Sequence, residues 1–228
     1  MALNEIKISD LGLLNINRKI IDSRRYENEL ISTEGNVSIF ESRATGFDTY
    51  SYLYKQELPI VDNSINITCS CNYSASETDQ VAYLLKNEEH SIALHFNNEQ
   101  ARLLIDDVVK IQFSYLKLKD NTEIRTIIKI SENTCNFNMY VHDLIFEKSA
   151  ILEPAIDFSG LYTLFIGNEP NGEGNFWVGS IDLSTFTISE DSKIIYSPCA
   201  NYPLTFSKIY ISDGEFELRD NLQPAKVI

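Results

Sequence analysis

The sequence predicts an all-β chain, built either as a sandwich of antiparallel sheets or as a closed barrel. Apolar and polar residues alternate with a period of two over Ile65–Ser74, which is typical of a strand with one buried and one solvated face. Short runs of this kind recur along the chain, and turn-forming pairs such as Asn97-Asn98 and Asp120-Asn121 separate them. Many short strands at regular spacing, with no helical period between them, indicate one of these two architectures.

Each further strand is predicted from an apolar run bounded by turn residues. In chain order these strands are Val81–Lys86, Ser91–Phe96, Ala101–Ile105, Val108–Tyr115, Ile124–Ile130, Asn136–His142, Leu161–Ile166, Phe176–Leu183, Phe186–Ser189, Lys193–Tyr196 and Phe206–Ile211, with a last one around Phe216 and Leu218. The helical patterns are short, at Asp10–Arg18 and Asp22–Ile31, and both fall in a segment whose acidic and basic residues are nearly balanced. We therefore predict an N-terminal arm at residues 1–36 and one β domain at residues 37–228.

Composition and charge exclude several classes of protein. Of the 228 residues, 43% are hydrophobic and 23% are charged, which is typical of a folded globular chain rather than a disordered one. The net charge of −14 disfavours nucleic-acid binding, which depends on Lys and Arg side chains that neutralise phosphates. No apolar run is long enough to span a membrane, and the first residues lack the apolar core of a signal peptide. We expect a chain made in the cytoplasm, or one whose leader has been removed, with neither nucleic acid nor membrane as partner.

The four cysteines are predicted to be free thiols. Cys69 and Cys71 are two residues apart in a predicted strand, so both point to the same face and cannot readily bond to each other. The spacing of the four cysteines does not match the two close pairs of a structural zinc site. The sequence therefore predicts cysteines that pack as small apolar side chains in a core.

Residues 45–212 resemble the concanavalin A-like and laminin-G-like jelly rolls. FDTYSY (47–52) and SINITCSCNYS (64–74) are placed like the first strands of that family, and MYVHD (139–143) takes the place of a characteristic strand-and-turn. The most specific resemblance is LYTLFIGN (161–168), then a Gly-rich loop and FWVGSIDLSTFTIS (176–189), in the form carried by bacteriophage tail and other virion proteins. The tryptophan that this family often carries near Ile124 is absent.

The resemblance implies a two-sheet antiparallel jelly-roll sandwich at residues 37–228. Residues 1–36 differ from this acidic body in their nearly balanced charge, so we predict that they are an arm that attaches it to other virion subunits; the alternative is an arm that folds back on the jelly roll as an extra strand. The resemblance also implies a non-catalytic structural and binding module of a bacteriophage tail, baseplate or capsid fibre, located in the virion and contacting either bacterial surface polysaccharide or a neighbouring subunit. The alternative is a glycan-active hydrolase or lyase on the same fold.

The sequence carries no recognisable set of catalytic groups, so we predict that the chain is not an enzyme. Glycosidases need two carboxylates across the scissile bond, and jelly-roll glycanases place them on alternate positions of one strand. The nearest string contains Glu215 and Glu217, which alternation assigns to the wet face of an edge strand. No zinc-type His spacing and no serine-hydrolase elbow occurs. No cofactor is predicted. A calcium site is one interpretation of the loops that contain Asp106, Asp107, Asp120 and Asp157, and the commoner alternative is that these acidic side chains are simply solvated.

Five residues are predicted to contact a ligand: Tyr52, Tyr83, His95, Trp177 and Tyr202. Tyrosine and tryptophan rings could stack on sugar rings, and His95 faces away from its apolar neighbours in the strand. The alternative for the tyrosines is ordinary pairing on a sheet surface, and the alternative for Trp177 is packing between two sheets, which we favour.

Four residues of the closing segment have predicted local roles. Gly167 and Asn168 are expected to adopt positive φ where a strand ends. Gly179 is expected to leave room for a neighbour, either Trp177 or a residue across the sheet, and Asp182 to hold a turn or a backbone amide.

Overall fold

The computed structural model describes residues 4–6, 32–40, 42–76, 78–168, 175–191, 193–198, 206–212 and 215–220. The predicted helices at Asp10–Arg18 and Asp22–Ile31 lie outside these residues. The described part of the chain is made of strands and connecting turns, and it contains no helix that could cross a membrane.

The described strands follow one another along the whole chain. They are β1 (Asn4–Ile6), β2 (Ser32–Glu34), β3 (Ser38–Phe40), β4 (Arg43–Thr45), β5 (Tyr52–Ile60), β6 (Ser64–Tyr73), β7 (Gln80–Lys86), β8 (Ser91–Phe96), β9 (Gln100–Ile105), β10 (Val108–Ser114), β11 (Thr122–Ser131), β12 (Thr134–Val141), β13 (Leu144–Ile151), β14 (Gly160–Ile166), β15 (Gly179–Glu190), β16 (Lys193–Tyr196), β17 (Phe206–Ser212) and β18 (Glu215–Asp220). The prediction of an all-β chain is confirmed, and β13 is a strand that the sequence pattern did not predict.

Two antiparallel sheets pack face to face as a jelly-roll sandwich. A seven-stranded sheet has the order β10-β9-β8-β7-β14-β5-β2, and an eight-stranded sheet has the order β13-β12-β11-β6-β15-β4-β3 with β16 paired to β15. Aromatic side chains join the two layers: the Phe96 ring of β8 lies 5.6 Å from the Trp177 ring, just before β15. The predicted sandwich is therefore the architecture of this chain, and the alternative of a closed barrel is wrong.

The chain divides into two compact units, residues 31–200 and residues 1–30 with 201–228. The first unit holds both large sheets, and the second holds a three-stranded sheet with the order β1-β17-β18. These units differ from the predicted boundary after residue 36, because β2 hydrogen-bonds to β5 within the sandwich and β1 pairs with β17 near the other end of the chain. Attachment through residues 1–36 stays a prediction.

Strand β6 shows why the core forms where it does. Its burial alternates along all ten residues, and the buried positions are Ile65, Ile67, Cys69, Cys71 and Tyr73. Cys69, Cys71 and Cys135 are free and buried, as predicted, whereas Cys199 lies outside the described residues. The neighbouring Cys69 thiol and burial raise the pKa of Cys71 well above its usual value, so this thiol stays protonated in the core.

Two glycines in residues 161–189, the segment with the most specific family resemblance, lie where neighbouring atoms leave no room for a side chain. Gly167 has a φ of +82°, and a Cβ there would lie 2.2 Å from the Phe47 ring. Gly179 meets a residue across the sheet, because its Cβ would lie 2.2 Å from the carbonyl oxygen of Asn72. Both positions require glycine.

The two polar residues of this segment hold the backbone. Asp182 accepts hydrogen bonds from the amide and the hydroxyl of Ser184, as predicted. Asn168 does not adopt positive φ; it is fully buried and donates to the carbonyl oxygens of Asp48 and Thr49. The prediction of a positive φ at Asn168 is therefore wrong.

Candidate functional site

Alternation along β7 assigns the two faces of the seven-stranded sheet. The Tyr83 ring lies 5.6 Å from the Phe186 ring of β15, in the opposite sheet, so Tyr83 points inward. Leu84 is the next residue and therefore points to the opposite side. We call that side, turned away from the eight-stranded sheet, the outer face.

A row of apolar side chains crosses the outer face. Strand register aligns its members on five adjacent strands, and we call it the outer row: Leu104, Ala93, Leu84, Phe165 and Tyr54. Its central members, Leu84, Ala93 and Phe165, are only 5%, 6% and 8% exposed. The outer face thus has an apolar centre, although neither large sheet packs on it.

Aromatic rings and one cation gather at the β5 end of the outer row. The Tyr52 ring lies 5.7 Å from the Phe165 ring, edge-on, and 5.9 Å from the Tyr54 ring. The Lys86 ammonium lies 5.3 Å from the centre of the Phe165 ring, within the range of a cation–π interaction. We call these four residues the aromatic end. Partial burial raises the pKa of Tyr52, so its phenol stays protonated and can donate a hydrogen bond at neutral pH.

A polar cluster flanks the other end of the outer row. Arg102 pairs with one carboxylate oxygen of Asp79, and the Asn97 amide donates to the other oxygen at 3.0 Å. His95 lies directly opposite Arg102 in the sheet. Burial, and secondly the Arg102 charge, lower the pKa of His95, so its ring is neutral at neutral pH.

The structure separates the five predicted ligand residues. Tyr52 lies at the aromatic end and His95 in the polar cluster, so both are on the outer face. Tyr83 and Trp177 are core residues: Tyr83 has no exposed surface, and Trp177 is 1% exposed. Neither ring can stack on an external ligand. The burial of Trp177 fits the favoured alternative, that it packs between the two sheets. The burial of Tyr83 does not fit its prediction as a ligand contact. Tyr202 lies outside the described residues.

Sequence reasoning did not select Phe165 or Lys86. Phe165 lies in LYTLFI (161–166), where nearly every residue is apolar, so periodicity gives no face. Pairing with β5 and β7 is what places it beside Tyr54 and Lys86, and that pairing joins residues far apart in the sequence.

Three of the four acidic residues weighed as calcium ligands, Asp106, Asp120 and Asp157, accept local hydrogen bonds. Asp106 accepts from the Ser91 amide at 2.8 Å, and Asp120 accepts from the Ala75 amide at 2.6 Å. Hydrogen bonds from Ser159 lower the pKa of Asp157. Among the described residues, no group of three or more His, Cys, Asp or Glu side chains is arranged to hold a metal. The side chains of Glu215 and Glu217 lie outside what the structure describes.

The outer face of the eight-stranded sheet is different in character. It carries a shallow polar depression of about 420 Å³ between β11, β12 and β13, lined by Lys129, Asn136, Asn138, Glu147 and Ser149 among others. Its lining includes no aromatic ring. Among the surfaces described here, the aromatic end is therefore the better candidate for contact with a ring-shaped ligand.

Comparison with known proteins supports the fold at low sequence identity. No family model and no curated protein matches the sequence. The enzymatically active domain of tailspike protein 2 from bacteriophage CBA120 is similar with a TM-score of 0.54 and 10% identity, over 75% of this chain and 33% of that one. The botulinum neurotoxin serotype D binding domain is similar with a TM-score of 0.53 and 12% identity, over 70% of this chain and 42% of that one. The chain thus spans less than half of either protein, and the likeness establishes a shared fold.

Proposed function

We propose that the chain is a non-catalytic structural and binding module of a bacteriophage particle that contacts bacterial surface polysaccharide through the aromatic end. The observation that carries the proposal is the grouping of Tyr52, Tyr54, Phe165 and Lys86 on the outer face of the seven-stranded sheet, where the two tyrosines are half-buried. The similarity of the fold to a phage tailspike domain supports the particle as its location.

The chemistry of the aromatic end fits a saccharide. Sugar rings present apolar C–H faces and equatorial hydroxyls, which require flat apolar surface and hydrogen-bonding groups side by side. Tyr52 and Tyr54 are half-buried, so each ring offers an accessible surface. Their phenols and the Lys86 ammonium supply donors next to that surface.

The carboxylate of the polar cluster supports a binding role over a catalytic one. Both oxygens of Asp79 are engaged, one by Arg102 and one by Asn97. A catalytic carboxylate must instead reach the scissile bond with a second one about 5–9 Å away.

Binding to purified bacterial surface polysaccharides, measured by calorimetry, tests the site. We expect Tyr52→Ala and Tyr54→Ala to weaken binding at least about tenfold, because each removes a stacking surface. Tyr140→Ala is the matched control, since Tyr140 lies under Arg125 on the other sheet. Equal affinity of all three variants and the wild type would contradict the proposal.

The alternative is a glycan-active hydrolase or lyase. It is favoured by one observation, that the similar tailspike fragment is an enzymatically active domain. Measurement of chain shortening in the same polysaccharides separates the two functions. We expect no turnover by the wild type, and Glu215→Ala and Glu217→Ala should leave binding unchanged. Turnover that a carboxylate substitution abolishes would establish the alternative.

Attachment to other virion subunits through the N-terminal arm is part of the proposal. Deletion of residues 1–30 tests it and leaves β2 paired with β5. A folded sandwich that no longer joins the particle is the expected result. A truncated chain that still assembles would show that the attachment lies elsewhere.

A further inference from the structure

Strand β13 leaves an unusual edge on the eight-stranded sheet. It is eight residues long and pairs with β12 on one side, while no described strand pairs with its other side. Three large apolar side chains on it are exposed: Leu144 by 61%, Ile145 by 62% and Ile151 by 71%. Proteins normally protect such edges with short strands, charged side chains, prolines, bulges or a covering segment, because an open edge accepts another strand; on β13 the charges are limited to Glu147 and Lys148 at its middle.

The sequence of this edge is nearly symmetric about Lys148. It reads LIFEKSAIL over residues 144–152, with apolar residues at equal distances on either side of the central lysine. If a second copy pairs antiparallel about a two-fold axis at Lys148, Ile145 lies opposite Ile151 of the second copy. In the same register Phe146 lies opposite Ala150 of the second copy, and Glu147 lies opposite Ser149 of the second copy. The two members of every pair point to the same face, as an antiparallel ladder requires.

We infer that β13 is a self-association strand, through which two copies of this chain join their eight-stranded sheets into one continuous sheet. The contact is isologous, so it closes at two copies and leaves neither β13 edge open. This inference does not depend on the proposed function.

Other registers are less favourable. If the two-fold axis lies at Glu147 instead, the Glu147 side chains of the two copies lie directly opposite each other, and like charges in that position destabilise a sheet. A shift of a single residue puts side chains from opposite faces in register.

The central lysine is compatible with the inferred register. The Lys148 ammonium donates to the carbonyl oxygen of Gln112 at 2.7 Å and lies 5.8 Å from the Phe113 ring centre, so it is directed towards β10 of its own copy. Two Lys148 backbones can therefore meet without their charges being forced together.

Net charge gives the association a distinctive dependence on salt. Each copy carries a charge of −14, so two copies repel each other and added salt screens that repulsion. We expect dimerisation of the full chain to tighten as salt is raised. A heterologous partner held by opposite charges would bind more weakly as salt is raised.

Sedimentation equilibrium of the full chain over a concentration series tests the inference. We expect a monomer–dimer equilibrium that Ile145→Lys weakens at least about tenfold, because it replaces an apolar pair with Ile151 of the second copy by a charge on the new ladder. Ile194→Lys is the matched control, since Ile194 is 60% exposed on β16. A wild-type chain that stays monomeric, or an equal effect of both substitutions, overturns the inference. A monomer that pairs through β13 only with a different protein also overturns it.

A cross-linking variant tests the register independently. In the inferred dimer, the two Lys148 Cα atoms face each other at the spacing of paired strands, about 4.5–5.5 Å, which a disulfide can bridge. We expect Lys148→Cys to form a disulfide-linked dimer under mild oxidation, while Ile194→Cys does not. A dimer that Lys148→Cys fails to cross-link overturns this register.

Discussion

The two faces of the seven-stranded sheet carry similar side chains and differ in what covers them. On the inner face, Tyr83 and Phe96 are fully buried against aromatic rings of the opposite sheet. On the outer face, Phe165 is almost as buried, but its neighbours are the half-buried rings of Tyr52 and Tyr54 and the Lys86 ammonium. Aromatic content therefore does not distinguish core from binding surface. The distinction is whether a second sheet closes over the rings or whether accessible polar groups border them.

The largest expected loss of stability comes from a substitution in the core between the two sheets. Trp177 packs edge-on against Tyr73 at 5.9 Å and Phe96 at 5.6 Å between the two layers. Trp177→Ala should lower the free energy of unfolding by about 3–5 kcal/mol, since it leaves a cavity that both sheets must share. Urea denaturation measures the loss, and Phe165→Ala on the outer face should cost less. Equal losses would show that the outer row is as closed as the core.

The next effect concerns a polar link between the layers. Glu190 ends β15 and is buried, and its Oε1 accepts from the amides of Val61 at 2.5 Å and Asp62 at 2.8 Å, just after β5. Glu190→Ala should cost about 2–4 kcal/mol in unfolding free energy, because two amides lose a charged acceptor. Exposed Glu123→Ala is the control and should stay within about 0.5 kcal/mol of the wild type. If both variants unfold at the same urea concentration, the link does not hold the sheets together.

The sequence predicted the sandwich and β6 well because a strand with one wet face keeps a strict period of two. It could not predict the faces of β7, where VAYLL is entirely apolar. The pairing of β7 with β8 shifts register between Val81 and Tyr83. Val81 therefore packs with Leu84, Ala93 and Phe165 of the outer row, although regular alternation would put Val81 and Tyr83 on the same face. Such an irregularity leaves no mark in the local pattern, and Tyr83 was consequently taken for a ligand contact.

Strand β13 was missed for a related reason. As an edge strand it has exposed residues on both faces, so alternation of apolar and polar residues is not imposed on it. The aromatic end was also out of reach, since it is assembled from β5, β7 and β14, which are neighbours only after pairing.

A smaller loss of stability is expected from a substitution on the outer face of the seven-stranded sheet. Tyr52→Ala removes two ring contacts from a half-buried position, so its cost in unfolding free energy should be about 1 kcal/mol. The same substitution should remove much of the saccharide binding. A variant that loses several kcal/mol of stability would instead mark Tyr52 as part of a closed core. Thermal unfolding and binding measured on one preparation decide between these outcomes.

The smallest effect lies at the polar cluster and depends on pH. Burial and the Arg102 charge lower the pKa of His95 in the folded chain, while Asp79 and Asp107 partly oppose them. The folded state therefore binds this proton less readily than the unfolded state, whose histidine titrates near about pH 6.5. The stabilising contribution is fully present above that pH and is lost as the pH falls through it towards the lowered value. His95→Gln should make the unfolding free energy depend less steeply on pH between about pH 8 and pH 5. Parallel pH profiles for the His95→Gln variant and the wild type would show that this ring is as solvated as the outer tyrosines.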